Sequence, residues 1–182
     1  RGGTDLQGRP SLILVASRIH AACGSELEAA EGDDTFKTPR SESVALLLLR
    51  EANELVGRPF VLIFLAAGLP DECGPTLHFL RTLLSALPMQ VHKELKAFYM
   101  VHPTLGLRVS FTLAGIALWG KLKFVDYLHD LHEFFAPGQL LMPSSVTDEN
   151  ERRLRLGGFA SPLAPPLPQA RLARGSRSAV PA

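Results

Sequence analysis

Leu95-Lys96-Ala97-Phe98-Tyr99-Met100-Val101-His102-Pro103-Thr104 is the stretch on which the reading of this chain turns. As a strand, it places Leu95, Ala97, Tyr99 and Val101 on one face and Lys96, Phe98, Met100 and His102 on the other. Pro103 has no N–H to give to a ladder and stops the strand. As the residue before a proline, His102 is expected in extended backbone, a local structural device more than a ligand.

Working outward, Leu12–Ala16 is too short for a helix and reads as a buried strand, and Pro59–Ala67 is apolar on both faces, the pattern of a strand covered on two sides in a mainly parallel sheet; each is preceded by Gly-Arg-Pro, and Lys121–Asp126 closes the series as a fourth strand. Between them lie helical stripes. Ala45, Leu48, Leu49, Ala52, Leu55 and Val56 recur at helical spacing, with Ser41 as N-cap and Gly57 as stop. Leu77, Leu80, Leu84 and Leu87 form the next stripe, after Pro75 and before Pro88. Thr104–Trp119 reads as an apolar helix with a single charge, Arg108, and two glycines, Gly106 and Gly115; Tyr127–Phe135 is a short helix. Residues 20–40 lack periodicity and read as a loop or insertion. Strands alternating with helices give an α/β fold with a mixed, mainly parallel sheet flanked by helices.

Charge divides the chain unevenly. Residues 151–182 hold six of the 19 Lys/Arg and one of the 18 Asp/Glu, which leaves 13 basic and 17 acidic residues to residues 1–150. A nucleic-acid binder would carry its positive charge on the folded part, so nucleic acid is not the expected partner. From Glu151 onward Gly, Pro, Ala, Ser and Arg dominate, and the segment reads as a disordered tail after a domain at residues 8–150. Its Pro162-x-x-Pro165 and Pro165-x-x-Pro168 spacings read as an inert linker before they read as ligands for a proline-binding groove.

Cys23 and Cys73 make neither a disulfide framework nor a zinc pattern and suit a reducing compartment. No apolar run reaches the ~20 residues that span a bilayer, and no signal-peptide layout opens the chain. The expected location is cytoplasmic, with peripheral membrane contact as a second expectation. Beginning at Arg1 rather than Met, the sequence reads as a piece of a longer protein.

The Val101-His102-Pro103-Thr104 junction resembles the strand-to-helix junction of divergent CRAL-TRIO domains, among them the BCH scaffold domains. The likeness extends upstream through Leu80-Arg81 to His92-Lys93 and to Gly-Arg-Pro, strand and Ala16-Ser17-Arg18. Downstream it continues through Phe124-Val125-Asp126-Tyr127-Leu128, Leu131-His132-Glu133 and Gln139-Leu140-Leu141-Met142-Pro143. The segment between Pro103 and Lys121 is a few residues shorter than in that family and lacks its Lys-Pro turn. In lipid-carrying members the corresponding helix is a gate over the ligand cavity.

The resemblance implies a non-catalytic module without a cofactor. Its first implied role is a scaffold for a protein partner such as a small GTPase or its regulator. The alternative is a carrier or sensor of one hydrophobic lipid, for instance a phosphoinositide. A macro domain precedes this module in some relatives. On either role the candidate pocket is Phe98, Met100, His102, Phe111 and Trp119, although a core helix is the first reading of Thr104–Trp119. Lys96, Arg108, Lys121 and Lys123 are candidates for a headgroup or an acidic partner, and ordinary surface charge is the competing reading. His129 and His132, three apart, lack the His-Glu-x-x-His pattern and read as a solvated face, so no metal is expected. No nucleophile elbow, phosphate loop or dinucleotide fingerprint occurs.

Overall fold

The structure is a computed structural model and describes residues 2–29, 39–69, 74–113 and 120–157. Four parallel strands lie side by side in sequential order, β1 (Ser11–Val15), β2 (Phe60–Leu65), β3 (Leu95–Val101) and β4 (Leu122–Val125). Helices α1 (Ala16–Ala29) and α2 (Pro39–Asn53) connect the first pair. Helices α3 (Gly74–Ser85) and α4 (Met89–Glu94) connect the second, and α5 (Leu105–Leu113) lies between β3 and β4. A 3₁₀ helix, Leu128–Glu133, and α6 (Ser144–Leu156) follow.

Sequential order with parallel pairing fixes where these helices go. Crossovers of one hand between neighbouring strands all return over the same face of the sheet. Accordingly Cys23 and Leu27 of α1, Ala45 and Leu48 of α2, Phe79 and Leu83 of α3, and Phe111 of α5 share one core with Phe64, Phe98 and Met100. The opposite face carries Val61, Ile63, Tyr99 and Val101, and no crossover covers it. Leu128, Leu131, Phe135 and Val146, all downstream of β4, do so. All six residues of β2 are buried.

The alternation of β3 holds from Ala97 onward and breaks at Leu95. Phe60 pairs with Leu95 but Val61 pairs with Ala97, so Lys96 is an extra residue in the ladder. This bulge turns Leu95 into the core of Phe98 and Met100 and leaves Lys96 exposed. Pro88 separates α3 from α4, as its missing N–H requires.

Several expectations are corrected. Residues 20–29 belong to α1, whose Ile19, Cys23 and Leu27 keep helical spacing toward the core. Gly24 hides this helix in the sequence, yet it has a packing reason: a Cβ there would sit 2.6 Å from His20 Nδ1. That ring bonds the buried Thr76 hydroxyl of α3 at 2.9 Å. Ser41 is no cap but a buried residue inside α2. Val56 is exposed, and Gly57 sits in the turn after the helix with φ +84°. Composition changes at Glu151, but α6 runs through that point to Leu156, with Asn150 and Leu154 buried. At the N-terminus Gly2 donates to Ser11 O at 3.1 Å, and buried Asp5 accepts from Arg9 N at 2.8 Å. Residues 158–182, Cys73, Gly115 and Trp119 lie outside the described residues.

Replacing Phe98 with alanine empties part of the core where three phenylalanine rings meet. The expected loss is roughly 3–5 kcal/mol of unfolding free energy by urea denaturation. Lys96→Ala, at the exposed bulge, should change stability by under about 0.5 kcal/mol.

Candidate binding site at the C-terminal edge of the sheet

In parallel α/β sheets ligands gather beyond the carboxyl ends of the strands. Here that edge is built around His102, which follows β3. Its backbone is not extended: φ is +55°, the single left-handed value among the described non-glycine residues. The turn carries the ring away from Phe98 and Met100 and toward α6, which packs on the other side of the sheet. Continued strand geometry would have kept it on their face.

His102 is 1% exposed. Its Nε2 lies 3.1 Å from Asn150 Oδ1. The same oxygen accepts the Leu128 backbone N–H at 2.8 Å. An oxygen that already accepts one N–H can take only a second donor, so His102 carries its proton on Nε2 and leaves Nδ1 as a lone pair. Among the described residues nothing donates to that Nδ1. Burial pushes the imidazole below its ordinary range; the hydrogen bond to Asn150 opposes this and nearby Arg153 reinforces it. The ring is therefore held neutral.

Arg153 completes the tie. Its guanidinium donates to the His102 carbonyl at 3.0 Å and to Glu149 Oε1 at 2.8 Å. Glu149 also receives Arg152, and these bonds, Arg152's foremost, hold its carboxyl below the usual range. On the neighbouring strand end Asp126 pairs with Arg108 of α5. Between the end of β4 and the end of α6 a hollow of about 380 Å³ opens, lined by Asp126, Tyr127, Arg153, Leu156 and Gly157. A second hollow of about 260 Å³ lies between the 3₁₀ helix and α6, lined mainly by Leu128, Leu131, Phe135, Leu140 and Met142.

This geometry accompanies a clear relationship. A family model described as a divergent CRAL/TRIO domain matches residues 25–151. The chain belongs to that family. It is 25% identical over 154 residues to the GDAP2 homolog of Nematostella vectensis, covering 81% of this chain and 27% of the relative. It is 24% identical over 168 residues to Rho GTPase-activating protein 68F of Drosophila melanogaster, covering 90% and 31%. To caytaxin of Macaca fascicularis it is 22% identical over 118 residues, covering 63% and 32%. The chain thus spans about a quarter to a third of the length of these relatives.

Within this divergent CRAL/TRIO domain the residues singled out from the sequence do not form one site. Phe98, Met100 and Phe111 are packed in the core; Phe98 and Phe111 lie with Phe64 at ring separations of 6.1–6.3 Å. Neither hollow touches them. His102 faces α6. The basic residues are spread over three places. Lys96 and Lys121 sit at the strand starts, bonding the carbonyls of Lys93 and His92 at 3.0 and 2.6 Å. Lys123 lies over the rings of Phe134 at 4.3 Å and Tyr99 at 5.7 Å on the opposite face. Arg108 alone reaches the C-terminal edge, covering Phe124 at 5.1 Å. His129 stacks on Tyr127 and pairs with Asp130 at 3.3 Å, whereas His132 borders the smaller hollow. Among the described residues no three His, Cys, Asp or Glu side chains gather as a metal would require.

Asn150 and Arg153 were missed, because they stand where the composition turns polar. A signal was present: Val146, Asn150 and Leu154 recur every fourth residue, and Glu149 with Arg152 and Arg153 has the spacing of helical ion pairs. Asn150→Leu would leave the Leu128 N–H and the His102 Nε2–H buried without an acceptor. A loss of roughly 2–4 kcal/mol is expected in urea unfolding, since each buried unpaired donor costs about 1–3 kcal/mol.

Proposed function

We propose that this domain is a non-enzymatic binding module that engages another protein, a small GTPase of the Rho class or one of its regulators, through the C-terminal edge of its sheet. The observation that carries this reading is the filled core beneath α5. Phe64, Phe98 and Phe111 touch one another, and Phe98 and Met100 are 0% exposed. Side chains occupy the sheet face on which a lipid carrier would seat its cargo. A close-packed interior leaves little room for a second molecule without rearrangement.

The edge itself has the character of a protein-docking surface. Asp126, Tyr127 and Arg153 line the larger hollow, with Arg108 paired to Asp126, and paired charges of both signs steer and orient a partner more than they add raw affinity. Exposed Leu105 and Val109 on α5 and Leu156 on α6 supply apolar area beside them. Two relatives are named as Rho GTPase-activating proteins, which supports the choice of partner class. Among the described residues no helix is long and apolar enough to cross a membrane. The proposed place of action is the cytoplasm.

The test uses the full 182-residue chain. Native mass spectrometry after incubation with phosphoinositide-containing liposomes should give the bare polypeptide mass. Titration with a Rho-family GTPase, in its GDP and GTP-analogue forms, should give saturable binding. Asp126→Lys should weaken that binding about tenfold or more without altering the melting temperature. A stoichiometric lipid adduct, with no saturable binding of the GTPase, would replace this reading with that of a lipid carrier.

A further inference from the structure

We propose that α6 is an acid-releasable strap, held on the sheet by the buried neutral imidazole of His102 and let go when that ring takes up a proton. The proposal goes beyond the docking function and does not depend on the identity of the partner.

Three ties converge on this strap, and all involve His102 or its partner. The ring donates to Asn150, the same Asn150 oxygen receives Leu128 N–H, and Arg153 holds the His102 carbonyl. Val146 and Leu154, at 0% and 1% exposure, supply the apolar contact of the helix. The strap is 13 residues long, and an isolated helix of that length is marginal in water. Its place therefore depends on these contacts.

Protonation would put a second N–H on Nδ1, which is buried and has no partner among the described residues. The charged groups facing the ring give that proton little support. From α6 come Glu149 and Arg153, and from the end of β4 comes Asp126. Glu149 is already engaged by Arg152 and Arg153, and Asp126 by Arg108 of α5. The Arg153 guanidinium adds a like charge beside the ring. A released α6 exposes the imidazole to water, where it titrates near its ordinary value of 6.5. Release also frees His102 from its left-handed backbone, a conformation that non-glycine residues hold only at a cost.

The direction with pH follows from linkage. The docked state binds the proton less well than the released state, because burial lowers the docked pKa. Docking is therefore fully favoured above about pH 6.5 and weakens as pH falls below it, until the docked ring itself protonates. Between pH 7.5 and 5.5 the opening constant should rise roughly five- to tenfold.

Hydrogen-exchange protection factors of the full chain at pH 7.5 and 5.5 read this directly. Amides of residues 148–157 should lose roughly five- to tenfold protection at the lower pH while those of β2 and β3 keep theirs. In His102→Gln, which keeps a donor and loses the titration, the strap should show no such change. Nuclear magnetic resonance of the wild-type ring provides a second reading that needs no variant: an Nε2–H tautomer with a pKa below 6.5 is expected. An unchanged strap in the wild type, an equal loss in His102→Gln, simultaneous loss in β2 and β3, or a ring titrating at or above 6.5 would each overturn the proposal.

Discussion

Four parallel strands laid down in sequential order leave one face of the sheet without a crossover helix. The rest of this structure depends on that constraint. β2 is buried on both sides, and β3 is so from Ala97 to Val101. Such strands cannot leave a face in water, because each apolar side chain contributes about 1.5–3 kcal/mol when buried. The chain beyond β4 has to return across the uncovered side, and the 3₁₀ helix, Phe135 and Val146 do so. α6 runs from Ser144 to Leu156, and Val146, Asn150 and Leu154 along it are buried.

His102 sits where the two layers meet. It ends the central strand, and its left-handed backbone turns the ring from the side of the crossover helices to the side of the strap. One residue thus serves as strand terminus, as donor to α6 and, through its carbonyl, as acceptor for Arg153. The buried polar groups come in a connected set, and leaving one member unpaired costs more than the net worth of its bond. That asymmetry explains why a histidine, an asparagine and an arginine can occupy the edge of an otherwise apolar interface.

The strap also links the fold to the surface on which a partner would act. Arg153 and Leu156 of α6 line the same hollow as Asp126 and Tyr127 beyond β4. Any movement of α6 reshapes that hollow, whereas the core of Phe64, Phe98 and Phe111 lies under different helices. The hollow and the packed core are therefore on separate parts of the molecule.

The sequence by itself determined the four strands, the two-sided burial of β2, the helical stripes of α2 and α3, the apolar helix after Pro103 and the family junction at Val101–Thr104. These follow from side-chain periods of two and about 3.6 residues, from prolines, and from short motifs, all local in the chain. It misread α1, where Gly24 masks a helix whose reason is a histidine packed against a neighbouring helix. Four basic residues that look clustered along the chain lie apart because they fall at strand starts, strand ends and opposite faces. Only the tertiary structure decided the direction of His102 and the role of α6. The bonds that decide them join residues 48 and 51 positions apart. A proline rule acting on neighbours favours extended backbone, and it is overruled by two contacts that exist only once the far end of the chain has folded back.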